Sequence, residues 1–429
     1  MGLRVNSERL ETIVSSLFFF TNPRVLSYSR GSTTIRRKAM KYTIPHYFED
    51  FKCVAAECED TCCAGWAIMI DEESLDKYKK LEGAIGNRVR NSVDWEKGSF
   101  CQYEGRCAFL NDDNLCDLHM EAGEHMLCNT CRDYPRHMEE FEGVREGSLS
   151  LSCIEAAKLI LGGAEPVQFI DFEDDVEDEE YEDFDYLLFT KLMDAREKAI
   201  SLLQNRKLDI KARMAMVLDL AHNMQKALDR QEIFQMDELL ESFGSTEWIL
   251  NFQQKTGDCV MGESEHCSAM RKMFRVFQQL EVLKSDWPEY VKKAEFTLFG
   301  EGQSDYEDSL RAFHKSVGVK SQQQEQWSVW LEHLMVYFVF TYFCGAVYDG
   351  NILGKMQTSI VSTLLIEELC HAKWKENVGV FHFETFVDIA HRVSREIEHS
   401  DINLLRLEKI CEKGIIFQTA QLLRVILYQ

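Results

Sequence analysis

Ten of the fifteen cysteines in this 429-residue chain fall between Cys53 and Cys153. They read Cys53-x4-Cys58-x3-Cys62-Cys63, then Cys107-x8-Cys116, then Cys128-x2-Cys131, then Cys153. Cys101 stands near Cys107 at no recognisable partner spacing. Thiolate is a soft ligand that suits zinc and iron–sulfur clusters. Two close cysteines on one loop supply two corners of a tetrahedral site, and distant pairs complete it. One Cys-x2-Cys says little; four separated cysteine groups within roughly 100 residues point to metal. Disulfide scaffolds are typically small and secreted, whereas this chain is large and shows no good export signal. Zinc and iron stay unseparated here. Nine cysteines imply two zinc sites or a polynuclear one, and an iron–sulfur cluster also takes about four. The adjacent pair Cys62-Cys63 suits a mononuclear finger poorly: one ligates while the other packs, or the two serve separate centres. Cys58-x3-Cys62 is followed at once by Cys63, so the radical-SAM spacing Cys-x3-Cys-x2-Cys fails. Cys101 and the scattered Cys259, Cys267, Cys344, Cys370 and Cys411 read as small buried hydrophobes.

The elements that must position these cysteines are short and irregular. Gly65–Ile70 predicts a strand, and Asp71–Arg90 a helix with Leu75, Tyr78, Leu81, Ile85 and Val89 near helical spacing. Asn111–Asn114 between two apolar stretches predicts a hairpin whose stems carry Cys107 and Cys116. Ser148–Ser152 alternates, and a helix is expected from about Cys153. Beyond Asp185 the period is helical. Helices are expected near 186–204, 207–229, 267–284, 304–317, 324–348, 355–376, 382–398 and 401–413. The fold class is therefore mainly α: an irregular cysteine-rich α+β metal-binding module over 40–170, an acidic linker over 171–185, and a helical domain over 186–429. The linker holds eleven acids in fifteen residues and no base, which reads as a solvated block or an acidic docking strip. Residues 1–39 carry seven bases and two acids with little pattern and read as a stretch upstream of the true start or as a disordered arm; ordinary folded sequence begins at Met40, the expected functional start.

Charge and hydropathy exclude other classes. Asp plus Glu is 72 against 48 for Lys plus Arg, a net charge of −24, which argues against a nucleic-acid partner. The longest uncharged apolar run, Leu334–Val347, has 14 residues, short of the roughly 20 a membrane span needs. It is expected as a buried core helix in a protein with no membrane role and a cytoplasmic location.

Tyr42–Cys53, Cys58–Trp66, Gly105–Leu110 with Leu115-Cys116, Cys128–Arg136 and Ser148–Cys153 together resemble the bacterial flagellin lysine-N-methylase family. Tyr342–Asn351 and Arg395–Ser400 echo it more weakly. The cysteine part also resembles a broader zinc- or iron-chelating module. The resemblance implies methyl transfer from S-adenosylmethionine (SAM) to surface lysines of flagellin, with a cysteine-bound iron–sulfur cluster of the 4Fe-4S kind. Zinc is the alternative metal. Ligand geometry makes Cys53, Cys58, Cys62, Cys63, Cys107, Cys116, Cys128, Cys131 and Cys153 the candidate ligands, expected to converge in space, with one four-iron cluster on four of them and the others a second site or its lining.

Lysine methylation is a displacement at a sulfonium methyl, and the amine must be neutral although its ordinary pKa is about 10.4. A base, or desolvation, must remove its proton. The tract beside the cysteines offers Tyr134, Asp133 and His137 as catalytic candidates. Arg132 and Arg136, four apart and able to share a helical face, are candidates for the donor's carboxylate. The competing reading makes this tract structural, its arginines pairing nearby acids. Glu398-His399-Ser400 with Asn403 is a second polar group. No Gly-rich strand-to-helix turn of the nucleotide-binding kind is present; Gly162-Gly163 reads as a helix stop. A non-enzymatic zinc- or iron-binding protein whose helical domain binds a partner is the second function class.

Overall fold

The computed structural model describes residues 40–174, 184–257, 261–318 and 322–428. The segment 1–39, Cys259 and most of the acidic stretch lie outside them. The described chain divides into two units. One comprises residues 40–159 and 168–174 and contains the clustered cysteines; the other comprises 160–167 and 184–428.

The cysteine unit is built on a four-stranded sheet and a set of short elements. In chain order these are β1 (Met40–Pro45), α1 (Glu72–Lys79), α2 (Gly83–Ser92), β2 (Val93–Asp94), β3 (Ser99–Phe100), β4 (Gln102–Tyr103), β5 (Arg106–Cys107), α3 (Asp117–Ala122), α4 (Asn129–Asp133), β6 (Arg136–Phe141), β7 (Val144–Leu149), α5 (Ile154–Gly162) and β8 (Phe169–Asp174). The sheet order is β6-β7-β1-β8. β1 runs parallel to β7 and antiparallel to β8, so the first strand of the unit is completed by its last. β6 and β7 form a hairpin closed by Glu142-Gly143, where Gly143 at φ 74° takes the left-handed conformation a two-residue turn demands. Gly147 has a different reason: a Cβ there would come within 2.8 Å of Ile44 and 3.0 Å of Met138. Tyr42, Ile44, Phe48, Met138 and Leu149 are buried around it. This is the α+β module expected from sequence, with four differences. The Gly65–Ile70 strand is a loop held by single bridges, Ala64 to Arg106 and Met69 to Ser99. The single helix expected over Asp71–Arg90 breaks after Lys79 and restarts at Gly83, whose φ is 75°. The Asn111–Asn114 turn is present, but its stems keep only the bridge Leu110 to Cys116. Asp171–Asp174, expected within a linker, belong to β8.

The second unit is helical: α6 (Tyr186–Leu203), α7 (Ile210–Asp229), α8 (Gln235–Ser242), α9 (Thr246–Thr256), α10 (Glu263–Phe274), α11 (Trp287–Phe299), α12 (Gln303–Gly318), α13 (Gln322–Tyr342), α14 (Ala346–Asp349), α15 (Ile352–Glu376), α16 (Phe383–Glu398), α17 (Asp401–Lys413) and α18 (Thr419–Ile426). α15 is its axis. Met356–Ala372 is buried almost throughout, and α7, α11, α13, α16 and α17 pack around it. A helix apolar on every side belongs in a core. Leu334–Phe340 of α13 is buried as expected. The stretch Gln326–Asp349 has the length and apolarity of a membrane span, with 72% of its most apolar window buried inside the fold. Caps set the ends: Asp209 accepts from Lys211 and Ala212, Asn351 from Gly354, and Ser400 from Asn403.

Candidate functional site: two groups of thiols and a buried acid–histidine cluster

The loop from Cys62 to Ile70 runs alongside β3–β5 and is fastened to them by backbone bonds. Cys107 N–H donates to the Cys63 carbonyl at 2.8 Å, Gly65 to Gly105 at 2.8 Å, Phe100 to Ile68 at 3.0 Å and Ile70 to Gly98 at 2.8 Å. This brings Cys63 beside Cys107 although 44 residues separate them in sequence. α1 fixes the next pair. Asp71 caps α1 through Ser74 N–H at 2.9 Å, and its other oxygen accepts from Asn129 N–H at 2.9 Å, at the start of α4. Tyr78 donates to the Met126 carbonyl at 2.7 Å, and Lys77 to the His125 carbonyl at 2.8 Å. The turn bearing Cys128 is thus tied to α1, and α4 presents Cys131 one turn later. Arg88 of α2 does the same for Cys107 and Cys116. It donates to the Ala108 carbonyl at 3.3 Å and to Asp117 at 2.6 Å, and lies over the Phe109 ring.

These thiols fall into one buried neighbourhood. Cys107 and Cys128 belong to a core with Ile68, Tyr78, Phe100 and Phe109, and Cys63, Cys116 and Cys131 pack against it. Burial pushes the Cys107 thiol up to about 12, with Cys63, Cys116 and Cys128 adding to the effect. A hydrogen bond to Cys128 and then burial hold Cys131 well above the ordinary thiol range, and Cys63 and Cys107 contribute. Burial raises Cys116, with Cys63 among its charged neighbours.

A second group lies closer to solvent. Cys53 is exposed, its sulfur accepting from Ala55 N–H at 3.4 Å. Cys58 follows on a turn closed to Ala55, whose φ is 48°. Cys153 opens α5 and is anchored by its own N–H to the Ser150 carbonyl at 3.2 Å. Burial takes its thiol up to about 11, opposed by the amides of Ala156 and Glu155 and assisted by Cys58 and Cys53. A hydrogen bond to Cys63 and then burial raise Cys62 well above its usual range; Cys53 and Cys153 are its other sulfur neighbours. Burial also raises Cys58. Cys101 donates its N–H to the Ser92 carbonyl at 2.8 Å and is a neighbour of neither group in these interactions. None of the nine grouped cysteines is in a disulfide among the described residues. Among the described residues no three His, Cys, Asp or Glu side chains already stand at metal-ligand spacing.

Between the groups runs the tract that sequence singled out. Trp66 Nε1 donates to the Cys62 carbonyl at 2.7 Å, and its ring meets Tyr134 at 5.8 Å. Tyr134 OH and Ser152 Oγ are 3.0 Å apart, one residue before Cys153. Asp133 is buried against Arg132, which also donates to Asn129 at 2.7 Å. His137 Nε2 and Glu139 Oε2 are 3.1 Å apart. Arg132 and Arg136 do not share a helical face: α4 ends at Asp133, and Arg136 begins β6, its guanidinium over Phe48 and Phe51 and donating to the Phe51 carbonyl at 3.3 Å. His399 ends α16, and Glu398 accepts from Tyr337 at 2.6 Å.

Sequence reasoning passed over a polar cluster inside the helical unit. Tyr306 donates to Glu368 at 3.1 Å, Tyr428 to Glu307 at 2.8 Å, and His266 Nδ1 lies 3.4 Å from Glu307. Lys211 and His314 flank Glu367. His371 Nε2 pairs with Ser309 at 3.0 Å, while its Nδ1 stands 3.8 Å from Glu368 Oε2. The available signal was two adjacent glutamates, Glu367-Glu368, inside an apolar run on α15. On another face of this unit an open cavity of about 390 Å³ is lined by Gln225, Asp349, Gly350, Asn351, Glu408 and Glu412. Lys355 bridges Asp349 and Glu408 beside it, at 2.6 and 2.8 Å.

The helical unit decides the family. The FliB lysine N-methylase C-terminal domain matches residues 196–425. The chain belongs to the FliB lysine N-methylase family. Its curated relatives are more distant. The flagellar biosynthetic protein FliU of Salmonella muenchen is 29% identical over 133 residues, 29% of this chain and 79% of that protein. The lysine-N-methylases of Salmonella choleraesuis and Salmonella typhimurium are each 28% identical over 133 residues, 29% of this chain and 33% of each relative. The aligned stretch thus spans about a third of each of those two methylases. No solved structure matches. The family's domain coincides with the helical unit, and the cysteine unit precedes it in sequence.

Proposed function

We propose that this chain transfers methyl groups from SAM to lysine side chains of flagellin and carries a thiolate-bound metal, iron–sulfur or zinc, in its cysteine unit. The observation that carries this reading is the family domain over residues 196–425. The flagellar and lysine-N-methylase names of the relatives support it.

The reaction itself limits what the residues must do. A neutral lysine amine attacks the sulfonium methyl carbon, and the carbon–sulfur bond breaks with its electron pair returning to sulfur. The products are a methylated lysine and a thioether, and the ammonium proton passes to a base. Amine, methyl and sulfur must be held in line. The His137–Glu139 pair is a chemically reasonable proton acceptor: the carboxylate orients the ring and stabilises its protonated form. Tyr134 can direct an amine through its hydroxyl, which Ser152 orients. In the helical unit, the cavity wall of Asp349 and Glu408 already accommodates one ammonium, that of Lys355, and so suits a second cationic side chain beside Glu412. The sheet is of mixed direction with order β6-β7-β1-β8, not a doubly wound parallel sheet, so no donor site is assigned on that pattern. Nine soft thiols suit zinc or iron, and the metal would supply a fold-stabilising crosslink.

The test is methyl transfer from tritiated SAM to purified flagellin by anaerobically prepared, metal-loaded full chain. Label recovered in methyl-lysine is the expected result. No transfer by metal-loaded protein defeats the proposal. A metal-binding protein without this activity is the second reading, favoured only by the position of the cysteines outside the matched family domain.

A further inference from the structure

The open cavity of the helical unit, about 390 Å³, has a wall built to hold positive charge. α17 lays Leu405, Glu408, Lys409 and Glu412 along it, at the three- and four-residue spacing of one helical face. The turn between α14 and α15 adds Asp349 and Asn351, with Gly350 at φ 69° between them. Gln225 of α7 fixes that turn, donating to the Gly350 carbonyl at 2.9 Å and accepting from Leu353 N–H at 3.1 Å. Asn351 joins the turn to α17 by donating to Glu408. Lys355 donates to Asp349 at 2.6 Å and to Glu408 at 2.8 Å. Burial opposes the charge of Lys355, but these two carboxylates overcome it and raise the group. Three lining carboxylates thus stand against two ammonium groups, those of Lys409 and the neighbouring Lys355. Glu412 is exposed and is in no ion pair among the described residues.

A reacting lysine needs the opposite treatment. Its amine attacks only when neutral, and adjacent carboxylates favour the charged form. The cavity therefore suits a basic side chain that is held and not methylated. Its shape narrows the ligand further. Small molecules bind where about 70–90% of their surface is covered, whereas this cavity is open. A long basic side chain on a protein surface can enter it, with its aliphatic stem on Leu405 and its charged head at Glu412. We propose that this cavity docks a protonated lysine or arginine of the protein substrate, a residue other than the lysine that receives the methyl group. This rests on the proposed protein substrate and not on the metal. Such a site selects target lysines by the presence of a second basic residue at a fixed distance.

The test changes the charge of the lining at exposed positions. Glu412→Gln removes one negative charge, Glu412→Lys reverses it, and Lys409→Glu makes the same face more acidic. Binding of purified flagellin to immobilised full chain is measured by surface plasmon resonance without SAM, and methyl transfer from tritiated SAM is followed in parallel. Glu412→Gln should raise Kd and KM for flagellin by roughly threefold, the size of one exposed charge pair, and keep kcat. Glu412→Lys should raise both further, and Lys409→Glu should lower them, with circular dichroism unchanged in all three. Added salt should weaken flagellin binding by the unmodified chain more than by Glu412→Gln. Kd and KM indifferent to all three changes, an effect confined to kcat, or no binding of flagellin by the unmodified chain overturns the docking site. Flagellin that binds through Glu412 but takes up no label upholds this inference and defeats the proposed activity. Label transferred with Kd and KM indifferent to these changes does the reverse.

Discussion

Replacing Glu332 by alanine should be among the most damaging single changes in the helical unit. The carboxylate is fully buried. It accepts from Arg206 at 2.9 Å and from Arg213 at 2.7 Å. Arg213 is itself 1% exposed, and it also donates to Ser328 at 2.9 Å and to the Leu203 carbonyl. Burial lowers the Arg213 guanidinium, and Glu332 is the first group opposing that. Without Glu332 a buried cation keeps only neutral acceptors. Breaking such a pair from one side costs about 3–5 kcal/mol, because the remaining charge stays desolvated. At roughly 2–4 °C per kcal/mol for a unit of this size, the melting temperature falls by about 10 °C. Differential scanning calorimetry of Glu332→Ala reads the fall, and Glu332→Met, Arg213→Met and their double variant form a double-mutant cycle. The double variant Glu332→Met with Arg213→Met should recover most of the loss, since replacing a whole buried pair by apolar groups is often neutral. A drop of under about 3 °C for Glu332→Ala, the equivalent of roughly 1 kcal/mol, would refute the reasoning, as would strict additivity in the cycle.

Three further outcomes are expected. Acid should weaken the helical unit in two stages. Burial depresses His266 to about 3, so stability is complete above pH 6.5 and is lost as pH falls towards 3; this group alone accounts for on the order of 3 kcal/mol between pH 6.5 and 4.5. Burial opposes the charge of Glu367, but Lys211 and His314 overcome it and bring it to about 2, so its contribution, present above pH 4.5, is lost on further acidification. Burial raises Glu307 and offsets part of the fall, and His266→Phe should flatten the first stage in urea titrations at stepped pH. Tyr78→Phe removes the bond to the Met126 carbonyl and should cost the cysteine unit about 1 kcal/mol, read by urea denaturation; an unchanged midpoint would count against the tether between α1 and the Cys128 turn. Cys101→Ser should leave bound metal unchanged, whereas Cys128→Ser should lower it, by elemental analysis of anaerobically purified protein.

The helical unit was largely legible because most of its helices repeat an amphipathic period over several turns, while α13 and α15 are long, largely apolar runs without Pro. α6, α7, α12, α15, α16 and α17 lie close to their expected limits, whereas α13, expected to reach residue 348, ends at Tyr342, and α10, expected to reach residue 284, ends at Phe274. The omitted helices α8, α9 and α18 are short, and α11 carries Pro288 in its first turn, where proline is tolerated but reads as a breaker. The strands β1 and β8 could not be paired by inspection, because their partners lie more than 100 residues apart and one falls in an acidic stretch. The cysteine spacings pointed to metal chemistry. They could not show that Cys63 packs beside Cys107, since that depends on the backbone ladder between the two residues and not on any spacing. Glu367-Glu368 was hidden for the opposite reason: buried carboxylates on a helix look like surface residues until their partners, from distant helices, are known.

The pairing of β8 with β1 has a consequence for synthesis and dissection of this protein. A nascent chain that has emerged only to residue 159 possesses β1, β6 and β7 but lacks the outer strand, so β1 is a bare edge carrying Tyr42 and Ile44. Open apolar edges recruit other strands. The cysteine unit therefore cannot finish during translation until residues 160–167, which belong to the other unit, and β8 have followed. A fragment cut at residue 163 should aggregate, whereas one extended through Asp174 closes its own sheet.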